Sequence, residues 1–350
     1  LMEREIQIYK VVAVQAVENT LFYLTIIVMV FAGYEIESLV VAVLARSVLG
    51  LVLIYIMRPW YPKTGFSYVS AKRLLSYGLP FQGNSFLALI KDDLLIIYLG
   101  GAIGLTNLGF VTFAKKWSEF SLRIITDNMN RVAFPLFARF QTNKVLLKKS
   151  LKKVFFFSSF FIFPMIVGAI FVFDSVLRVI PGYFDKWGIA LFSFYFFSLY
   201  ALIVSLYTPL INLFNAIGKV KISLYFMIIF TVVQWALVLL SIPIFGFHGI
   251  SIAFLAMSVL AVFVIRHAKK YLAFSLWEFV KENLYAVVVM VMYLVLVRMA
   301  FIIFVDMPRV HVALSMVGGA GIYFVMIYRL KGREFYRELF DMAKVGRKSL

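Results

Sequence analysis

Ten runs of strongly apolar residues occupy most of this 350-residue chain, and they constrain its fold more than any other feature. A helix needs about 20 apolar residues to cross the hydrocarbon core of a bilayer. Hydrophobic residues make up 63% of the sequence, against about 45–50% in soluble domains. The sequence therefore predicts an all-α, polytopic membrane protein, a helical bundle with about ten transmembrane helices. The runs are Val11–Phe31, Leu39–Met57, Pro80–Leu99, Leu105–Phe137, Val154–Phe173, Trp187–Leu213, Val220–Ile244, Ile250–Ile265, Leu284–Val305 and Val310–Tyr328.

The basic residues are distributed very unevenly between the segments that connect these runs. Of 35 lysines and arginines, 25 lie in alternate connecting segments and at the two ends of the chain. The other connecting segments contain only three basic residues, Arg178, Lys186 and Arg309. The positive-inside rule therefore predicts that both ends are cytoplasmic and that the number of spans is even. Most of the net charge of +18 is explained by orientation and by contact with anionic lipid headgroups, so no nucleic-acid partner is expected.

Several classes of site are disfavoured by what the sequence contains. It has no cysteine and only three scattered histidines, His248, His267 and His311, so neither a thiolate nor a histidine metal site is expected, and no cofactor is indicated. No phosphate-binding GxxxxGK[ST] loop is present, which argues against an ATP-driven pump. Two basic, leucine-containing segments, Ser70–Leu75 and Leu146–Lys149, are either interfacial helices or the ends of transmembrane helices.

Seven basic residues fall inside the predicted spans, where an ionisable side chain is costly and suggests a functional site. Arg46, in the second span, faces either the same cavity as the other charges or a partner such as Glu18 in the first span. Arg298 has no acidic neighbour in sequence and is interpreted as a snorkelling or bundle-facing residue, while Asp174 falls in an outer loop. The seven are Arg46, Lys91, Lys115, Lys116, Arg123, Arg131 and Arg298.

The fourth span carries charges of alternating sign at intervals of four residues. Lys115, Glu119, Arg123, Asp127 and Arg131 form one slowly winding stripe, because each step of four drifts only about 40° around a helix. Facing lipid, such a stripe would cost on the order of 10–20 kcal/mol. It therefore faces the bundle interior or an aqueous cavity, either as a functional site or as a self-neutralising structural network.

The third span carries a second charged cluster, Lys91-Asp92-Asp93. Counted from the outer ends of the two spans, Lys91 lies about 12 Å deep and Lys115 about 15 Å deep. We therefore expect the third and fourth spans to pack as antiparallel neighbours, with Asp92 or Asp93 paired to Lys115 or Lys116. A plain interhelical salt bridge is the alternative to a functional site.

Short motifs at the ends of the spans follow one another in a consistent order along nearly the whole chain. In this order they resemble the polysaccharide flippases (Wzx-type) of the multidrug/oligosaccharidyl-lipid/polysaccharide (MOP) exporter superfamily, which includes the MATE transporters. The motifs are Leu1-Met2-Glu3-Arg4-Glu5 with Tyr9-Lys10, Leu99-Gly100, Leu108-Gly109, Phe134-Pro135, Asn215-Ala216-Ile217-Gly218-Lys219 and Gly246-Phe247-His248-Gly249-Ile250.

The resemblance implies a domain organisation. The opening motif resembles the linker before the family's fifth helix, so the family's first four helices would be absent from this chain. Residues 1–63 would then be the last two helices of the N-terminal lobe and residues 64–271 a six-helix C-terminal lobe. Residues 272–350 would contribute two additional helices and a basic cytoplasmic tail.

The resemblance also implies a function: alternating-access transport of a polyprenyl-pyrophosphate-linked oligosaccharide across the cytoplasmic membrane, for polysaccharide or O-antigen biosynthesis. It implies no covalent chemistry. The implied partners are the lipid-linked oligosaccharide, membrane lipids and other membrane proteins of polysaccharide assembly. A cationic cavity for the pyrophosphate would be formed by Lys91, Lys115, Lys116 and Arg123. Charge partners of these cations, or groups for ion coupling, would be Asp92, Asp93, Glu119 and Asp127.

Three alternatives remain open. A multidrug or cation antiporter of the same superfamily would need an excess of carboxylates in its cavity, whereas the third and fourth spans carry an excess of cations. A membrane-embedded polysaccharide polymerase or acyltransferase would need a polar outer loop or a histidine-centred site. A non-functional remnant of a flippase is the third alternative.

Overall fold

The computed structural model describes residues 8–35, 37–57, 67–304 and 307–332, together with Pro59 and Gly65. The described residues form helices and contain no β-strand. The helices divide into two compact units, one before residue 68 and one over Tyr68–Lys331. The predicted linker motif Leu1–Glu5 and the basic tail beyond residue 332 lie outside the described residues.

The first unit consists of two helices, α1 (Ile8–Phe31) and α2 (Glu37–Met57), which pack against each other. Gly50 of α2 permits this packing, because a Cβ atom at that position would overlap the carboxylate of Glu18 on α1. The same carboxylate lies 3.9 Å from Arg46 Nε. The pairing of Arg46 with Glu18 that the sequence suggested is therefore present.

The second unit contains helices α3 to α12, with α3 and α4 connected by a π-helical turn at Ile90–Leu94. The long helix α5 lies at its centre and contacts α4, α7, α11 and α12. The helices of this unit are α3 Tyr68–Leu89, α4 Leu95–Arg139, α5 Lys144–Val179, α6 Tyr183–Trp187, α7 Leu191–Ala216, α8 Val220–Phe245, α9 His248–Ser258, α10 Ala261–Ala268, α11 Leu276–Phe304 and α12 Pro308–Lys331.

Nine helical stretches among the described residues are long and apolar enough to cross a membrane, and the third, Tyr68–Arg139, has 72 residues. A straight helix of that length would extend about 108 Å, far more than the roughly 30 Å of a hydrocarbon core. Gly104, at φ 78° and ψ 158°, breaks it in a backbone conformation that is essentially restricted to glycine. Lys115 Nζ then lies 3.4 Å from Asp92 Oδ1, whereas 23 residues of straight helix would separate them by about 35 Å. The stretch is a hairpin of two spans, so the described residues provide the predicted ten.

Both basic, leucine-containing segments are the beginnings of long helices, as the helix-end alternative predicted. Ser70–Leu75 lies in the first turns of α3, and Leu146–Lys149 lies near the start of α5. The Asn143 side chain caps α5, because its Oδ1 accepts hydrogen bonds from the backbone N–H groups of Val145 and Leu146, both at 3.1 Å. The helix then continues without interruption to Val179.

Polar side chains fasten the last two helices to α5. Asn283 Nδ2, on α11, donates to the carbonyl of Phe156 at 2.8 Å and to Ser159 Oγ at 2.6 Å. Tyr323 Oη, on α12, donates to the carbonyl of Phe160 at 3.0 Å. Because the hydrophobic effect drives little association between helices in lipid, such interhelical hydrogen bonds specify the packing.

Candidate functional site

A π-helical turn positions the first charged residues of the site. The turn spans Ile90–Leu94 and includes Lys91, Asp92 and Asp93. A π-turn removes carbonyl groups from the regular hydrogen-bond ladder, and such turns occur frequently at functional sites. Two side chains of α8 satisfy these carbonyls: Trp235 Nε1 donates to Ile90 at 3.1 Å and Gln234 Nε2 donates to Lys91 at 3.0 Å. Gln234 therefore forms an interhelical contact between α8 and the π-turn.

One carboxylate joins two lysines at the centre of the site. Asp92 Oδ1 lies 3.0 Å from Lys91 Nζ and 3.4 Å from Lys115 Nζ, and these three residues form what we call the Asp92 cluster. Lys115 Nζ also lies 4.6 Å from the ring centroid of Phe254, a cation–π contact. Two ammonium groups share one carboxylate, so the cluster retains one uncompensated positive charge.

The predicted antiparallel pairing is confirmed with Asp92 and Lys115 as the partners. The side chains of Lys91 and Lys115 are largely buried, with 13% and 16% exposed. The neighbouring residues Asp93 and Lys116 are exposed and form no ion pair within the described part of the chain. Successive residues of a helix point in different directions, which is why Asp93 and Lys116 lie outside the cluster although their neighbours Asp92 and Lys115 belong to it.

Among the described residues, the stripe on the fourth span forms one ion pair between its own members, in addition to the pair of Lys115 with Asp92. Buried Glu119 accepts hydrogen bonds from Arg123 at its Oε2 atom, from Nη2 at 3.0 Å and from Nε at 3.3 Å. The Arg123 side chain is 68% exposed. Asp127 and Arg131 are exposed and make no ion pair with another described residue. The self-neutralising network within the stripe therefore extends over one turn of the helix only, and its last two charges lie on the surface of this unit.

A cavity of about 260 Å³ adjoins the Asp92 cluster, and Lys91 and Asp92 lie in its wall. Two buried tyrosines of α7, Tyr200 and Tyr207, line it together with Thr208. The two tyrosines are seven residues apart and so lie on one face of the helix. That spacing, within a run rich in aromatic residues, is the signal that could have predicted them. The cavity offers hydroxyl groups beside a net positive charge, a combination suited to an anionic group.

Asn212 makes a further contact of α7 with another helix. Its side chain donates a hydrogen bond to the side chain of Asn130 on α4. The bond connects the two helices that carry Glu119 and Tyr200, one on α4 and the other on α7.

Arg298 faces the bundle, one of the two predicted alternatives, and it has an acidic partner on another helix. Its Nη2 atom lies 2.6 Å from Asp174 Oδ2, its Nη1 atom lies 3.0 Å from Oδ1, and Nη1 also donates to Ser175 Oγ at 3.2 Å. Asp174 was assigned to an outer loop because the apolar run ends at Phe173. The helix α5 instead continues to Val179 and places the carboxylate against α11. The partner is 124 residues away in sequence, so no local pattern reveals it.

Comparison with known proteins identifies the family. The sequence profile of the polysaccharide biosynthesis protein family matches residues 1–190, more than half of the chain. The chain belongs to this family. The teichuronic acid biosynthesis protein TuaB of Bacillus subtilis (strain 168) is 21% identical over 189 residues, and the amylovoran biosynthesis protein AmsL of Erwinia amylovora is 23% identical over 163 residues. The alignments cover 53% and 46% of this chain, but only 39% and 42% of the two relatives.

The fold of this polysaccharide biosynthesis protein is that of a known transporter. The lipid II flippase MurJ in its inward closed conformation superimposes with a TM-score of 0.60 and 16% sequence identity, over 93% of this chain and 68% of MurJ. The likeness confirms the predicted fold, a multi-pass helical membrane protein. The family match confirms the resemblance to polysaccharide biosynthesis proteins that the short motifs indicated.

Proposed function

We propose that this polysaccharide biosynthesis protein acts as a flippase for a lipid-linked oligosaccharide, moving it across the cytoplasmic membrane by alternating access. The proposed substrate is a polyprenyl pyrophosphate that carries a sugar repeat unit, such as an O-antigen unit. The observation that carries the proposal is the uncompensated cation of the Asp92 cluster, held beside a cavity at membrane depth. The family and the MurJ-like fold support it.

The chemistry of the substrate requires such a site. Pyrophosphate and sugar are strongly hydrated and cannot enter hydrocarbon, whereas the prenyl tail can remain there. Lys91 and Lys115 would lower the desolvation cost of the pyrophosphate through charge-assisted hydrogen bonds. Asp92 would hold both ammonium groups in place while the site is empty. The cavity, about 260 Å³, is below the roughly 300–1,000 Å³ of drug-sized sites, so it suits the headgroup and not the whole saccharide.

The exposed cations of the fourth span would act at an earlier stage. Lys116 and Arg123 are accessible on the surface of the second unit and would attract the pyrophosphate toward the Asp92 cluster. Asp93, Glu119 and Asp127 would serve as charge partners or in ion coupling. No step of this mechanism makes or breaks a covalent bond, so we propose a transporter and not an enzyme. Partners would be membrane lipids and other membrane proteins of polysaccharide assembly.

A transport assay tests this proposal directly. Proteoliposomes containing the protein are supplied with a fluorescent polyprenyl pyrophosphate saccharide, or with the corresponding polyprenyl glycoside that lacks phosphate. Flipping is measured as protection of the fluorophore from a membrane-impermeant quencher. We expect the wild type to flip the pyrophosphate form and the Lys91→Gln/Lys115→Gln variant to lose this activity. Lys152→Gln, which removes an exposed lysine of α5, is the matched control.

The assay can also contradict the proposal. Equal flipping of the two lipids, or undiminished flipping of the pyrophosphate form by a well-folded Lys91→Gln/Lys115→Gln variant, would show that the Asp92 cluster is not a pyrophosphate site. Preferential export of a cationic amphiphile would favour the multidrug alternative.

The proposed orientation has both ends of the chain in the cytoplasm. Because the sequence has no cysteine, single cysteines report unambiguously. In intact cells an impermeant maleimide should label Thr106→Cys, next to the hairpin at Gly104, before Lys149→Cys near the start of α5. The reverse order would overturn the orientation.

A further inference from the structure

A second cavity, of about 390 Å³, lies between α8 and α10, away from the Asp92 cluster. Aromatic and aliphatic side chains form most of its wall, chiefly Tyr225, Phe226 and Ile229 from α8 with Leu260 and Phe263 from the other side. The side chains of Tyr225 and Phe263 are 62% and 60% exposed. Because both lie on helices that are long and apolar enough to cross a membrane, the open side of the cavity would face the surrounding lipid.

One end of this cavity is basic. Arg266, His267 and Lys270 line it at the end of α10, and the beginning of α8 packs against the same end, with the rings of Phe226 and His267 5.7 Å apart. Arg266 and Lys270 are exposed and form no ion pair within the described ranges. The Nε2 atom of His267 is buried and has no hydrogen-bond partner among the described residues.

We propose that this cavity, the α8–α10 cavity, binds an anionic phospholipid. The phosphate would contact Arg266 and Lys270, with His267 Nε2 as a third polar contact, and an acyl chain would occupy the aromatic part. Basic pockets between transmembrane helices near the membrane surface are typical sites for anionic headgroups. The basic end and the apolar length of the cavity match the two parts of such a lipid.

The proposed occupant is a phospholipid and not the transported substrate, for two reasons. The α8–α10 cavity opens to the bulk lipid, where phospholipids are in large excess, and its cations lie at a helix end, at headgroup depth. It shares only Phe230 with the lining of the cavity beside the Asp92 cluster. A lipid bound here would therefore lie one side chain away from the proposed substrate cavity without entering it.

The test is native mass spectrometry of the full chain released from neutral detergent, titrated with phosphatidylglycerol or with phosphatidylcholine of identical acyl chains. We expect tight binding of phosphatidylglycerol only. Arg266→Gln/Lys270→Gln should weaken that binding about 30-fold, which corresponds to ~1 kcal/mol for each basic residue removed. Lys148→Gln/Lys149→Gln removes two exposed lysines from α5 and should leave it unchanged.

Two further variants test the apolar part of the cavity and its independence from the Asp92 cluster. Ile229→Trp fills the apolar part and should weaken phosphatidylglycerol binding while both cations remain; its melting temperature reports whether it is folded. Lys115→Ala should bind phosphatidylglycerol normally even if transport is lost, so failure of the flippase proposal and failure of this one are distinguishable.

Several results would overturn the proposal. These are undiminished binding by Arg266→Gln/Lys270→Gln, an equal loss in the α5 lysine pair, and equal affinity for the two phospholipids. Displacement of phosphatidylglycerol from the wild type by an equimolar polyprenyl pyrophosphate would assign the cavity to the transported substrate instead.

Discussion

Two ion clusters in the unit Tyr68–Lys331 use the same chemistry but differ in how completely their charges are matched. Asp174 and Arg298 meet one to one through two parallel hydrogen bonds of 2.6 and 3.0 Å. In the Asp92 cluster a single carboxylate oxygen serves two lysines, at 3.0 and 3.4 Å. A matched fork satisfies both partners, whereas a carboxylate shared by two ammonium groups leaves cationic capacity for a ligand.

The surroundings of the two clusters differ in the same sense. Ser175 adds a further hydrogen bond to Arg298 at 3.2 Å, which completes a contact between α5 and α11. The Asp92 cluster instead borders a cavity lined by Tyr200 and Tyr207. Charge at membrane depth is expensive in either case. The ratio of cations to carboxylates and the space beside them distinguish a structural contact from a candidate binding site.

The largest effect on stability is expected from removing one half of the matched pair. In Arg298→Ala the Asp174 carboxylate, with only 10% of its side chain exposed, would lose its one ion-pair partner among the described residues. Breaking a buried pair costs about 3–5 kcal/mol, and because the Arg298 side chain is 36% exposed we expect about 2–3 kcal/mol. Thermal unfolding in detergent would show a lower melting temperature, with unchanged transport per folded molecule.

A double variant provides the control for this prediction. Asp174→Asn/Arg298→Gln removes both charges and should recover most of the lost stability, because no uncompensated carboxylate remains. Stability equal to the wild type in Arg298→Ala alone would contradict the structural role of the pair.

The second prediction is the opposite for the Asp92 cluster: removing one charged partner should impair transport more than stability. Lys115→Ala leaves Asp92 paired with Lys91 at 3.0 Å, so the free energy of unfolding should change by less than about 1 kcal/mol. Transport should fall about tenfold or more, which corresponds to an increase of at least ~1.4 kcal/mol in the activation free energy of transport. Lys115→Arg should recover part of it. Transport is measured in the proteoliposome assay and normalised to folded protein. If the variant loses stability but not transport, the Asp92 cluster is a structural contact like that of Asp174 with Arg298 and not a binding site.

The sequence could predict the Asp92 cluster because its geometry is local. Asp92 and Lys115 lie at nearly equal distances in sequence from Gly104, where the chain turns, so counting residues along two helices gives their depths. The length of the apolar runs predicts the spans in the same way. Which of Asp92 and Asp93 faces Lys115 depends on the π-turn, and no residue pattern marks that turn before the fold is known.

The contact between Asp174 and Arg298 could not be predicted in this way. Its partners lie on helices that become neighbours only through the packing of the whole unit, and the apolar run gave no sign that α5 continues past Phe173. The bonds from Trp235 and Gln234 to the π-turn could not be predicted for the same reason. Long-range pairs of this kind are set by tertiary structure and not by periodicity.

The third prediction concerns the α8 contact that supports the Asp92 cluster. Trp235→Phe keeps the aromatic packing but removes the 3.1 Å hydrogen bond to the carbonyl of Ile90, in the π-turn. We expect a loss of about 1 kcal/mol in unfolding free energy. Because the turn positions Lys91 and Asp92, transport should also fall, about threefold. Trp277→Phe, which changes an exposed tryptophan on α11, is the control and should change neither quantity. An unaltered transport rate in a destabilised Trp235→Phe variant would show that the π-turn does not position the residues needed for transport.

The smallest effect is expected from an exposed cation, and its dependence on salt makes it informative. Lys116 is exposed and forms no ion pair within the described ranges, so Lys116→Ala should change stability by less than about 0.5 kcal/mol. If it only attracts the pyrophosphate, its contribution is screened by salt, because the Debye length falls from about 10 Å at 0.1 M to about 3 Å at 1 M. Transport by Lys116→Ala should therefore be about threefold slower than the wild type at low salt and equal to it at 1 M.

The loss in Lys115→Ala should persist at both salt concentrations, since that side chain is only 16% exposed. Asp127→Asn removes an exposed negative charge of the same span and should act in the opposite direction at low salt. A loss in Lys116→Ala that is independent of salt would place this lysine in direct contact with the substrate, and no loss at either concentration would remove it from the site.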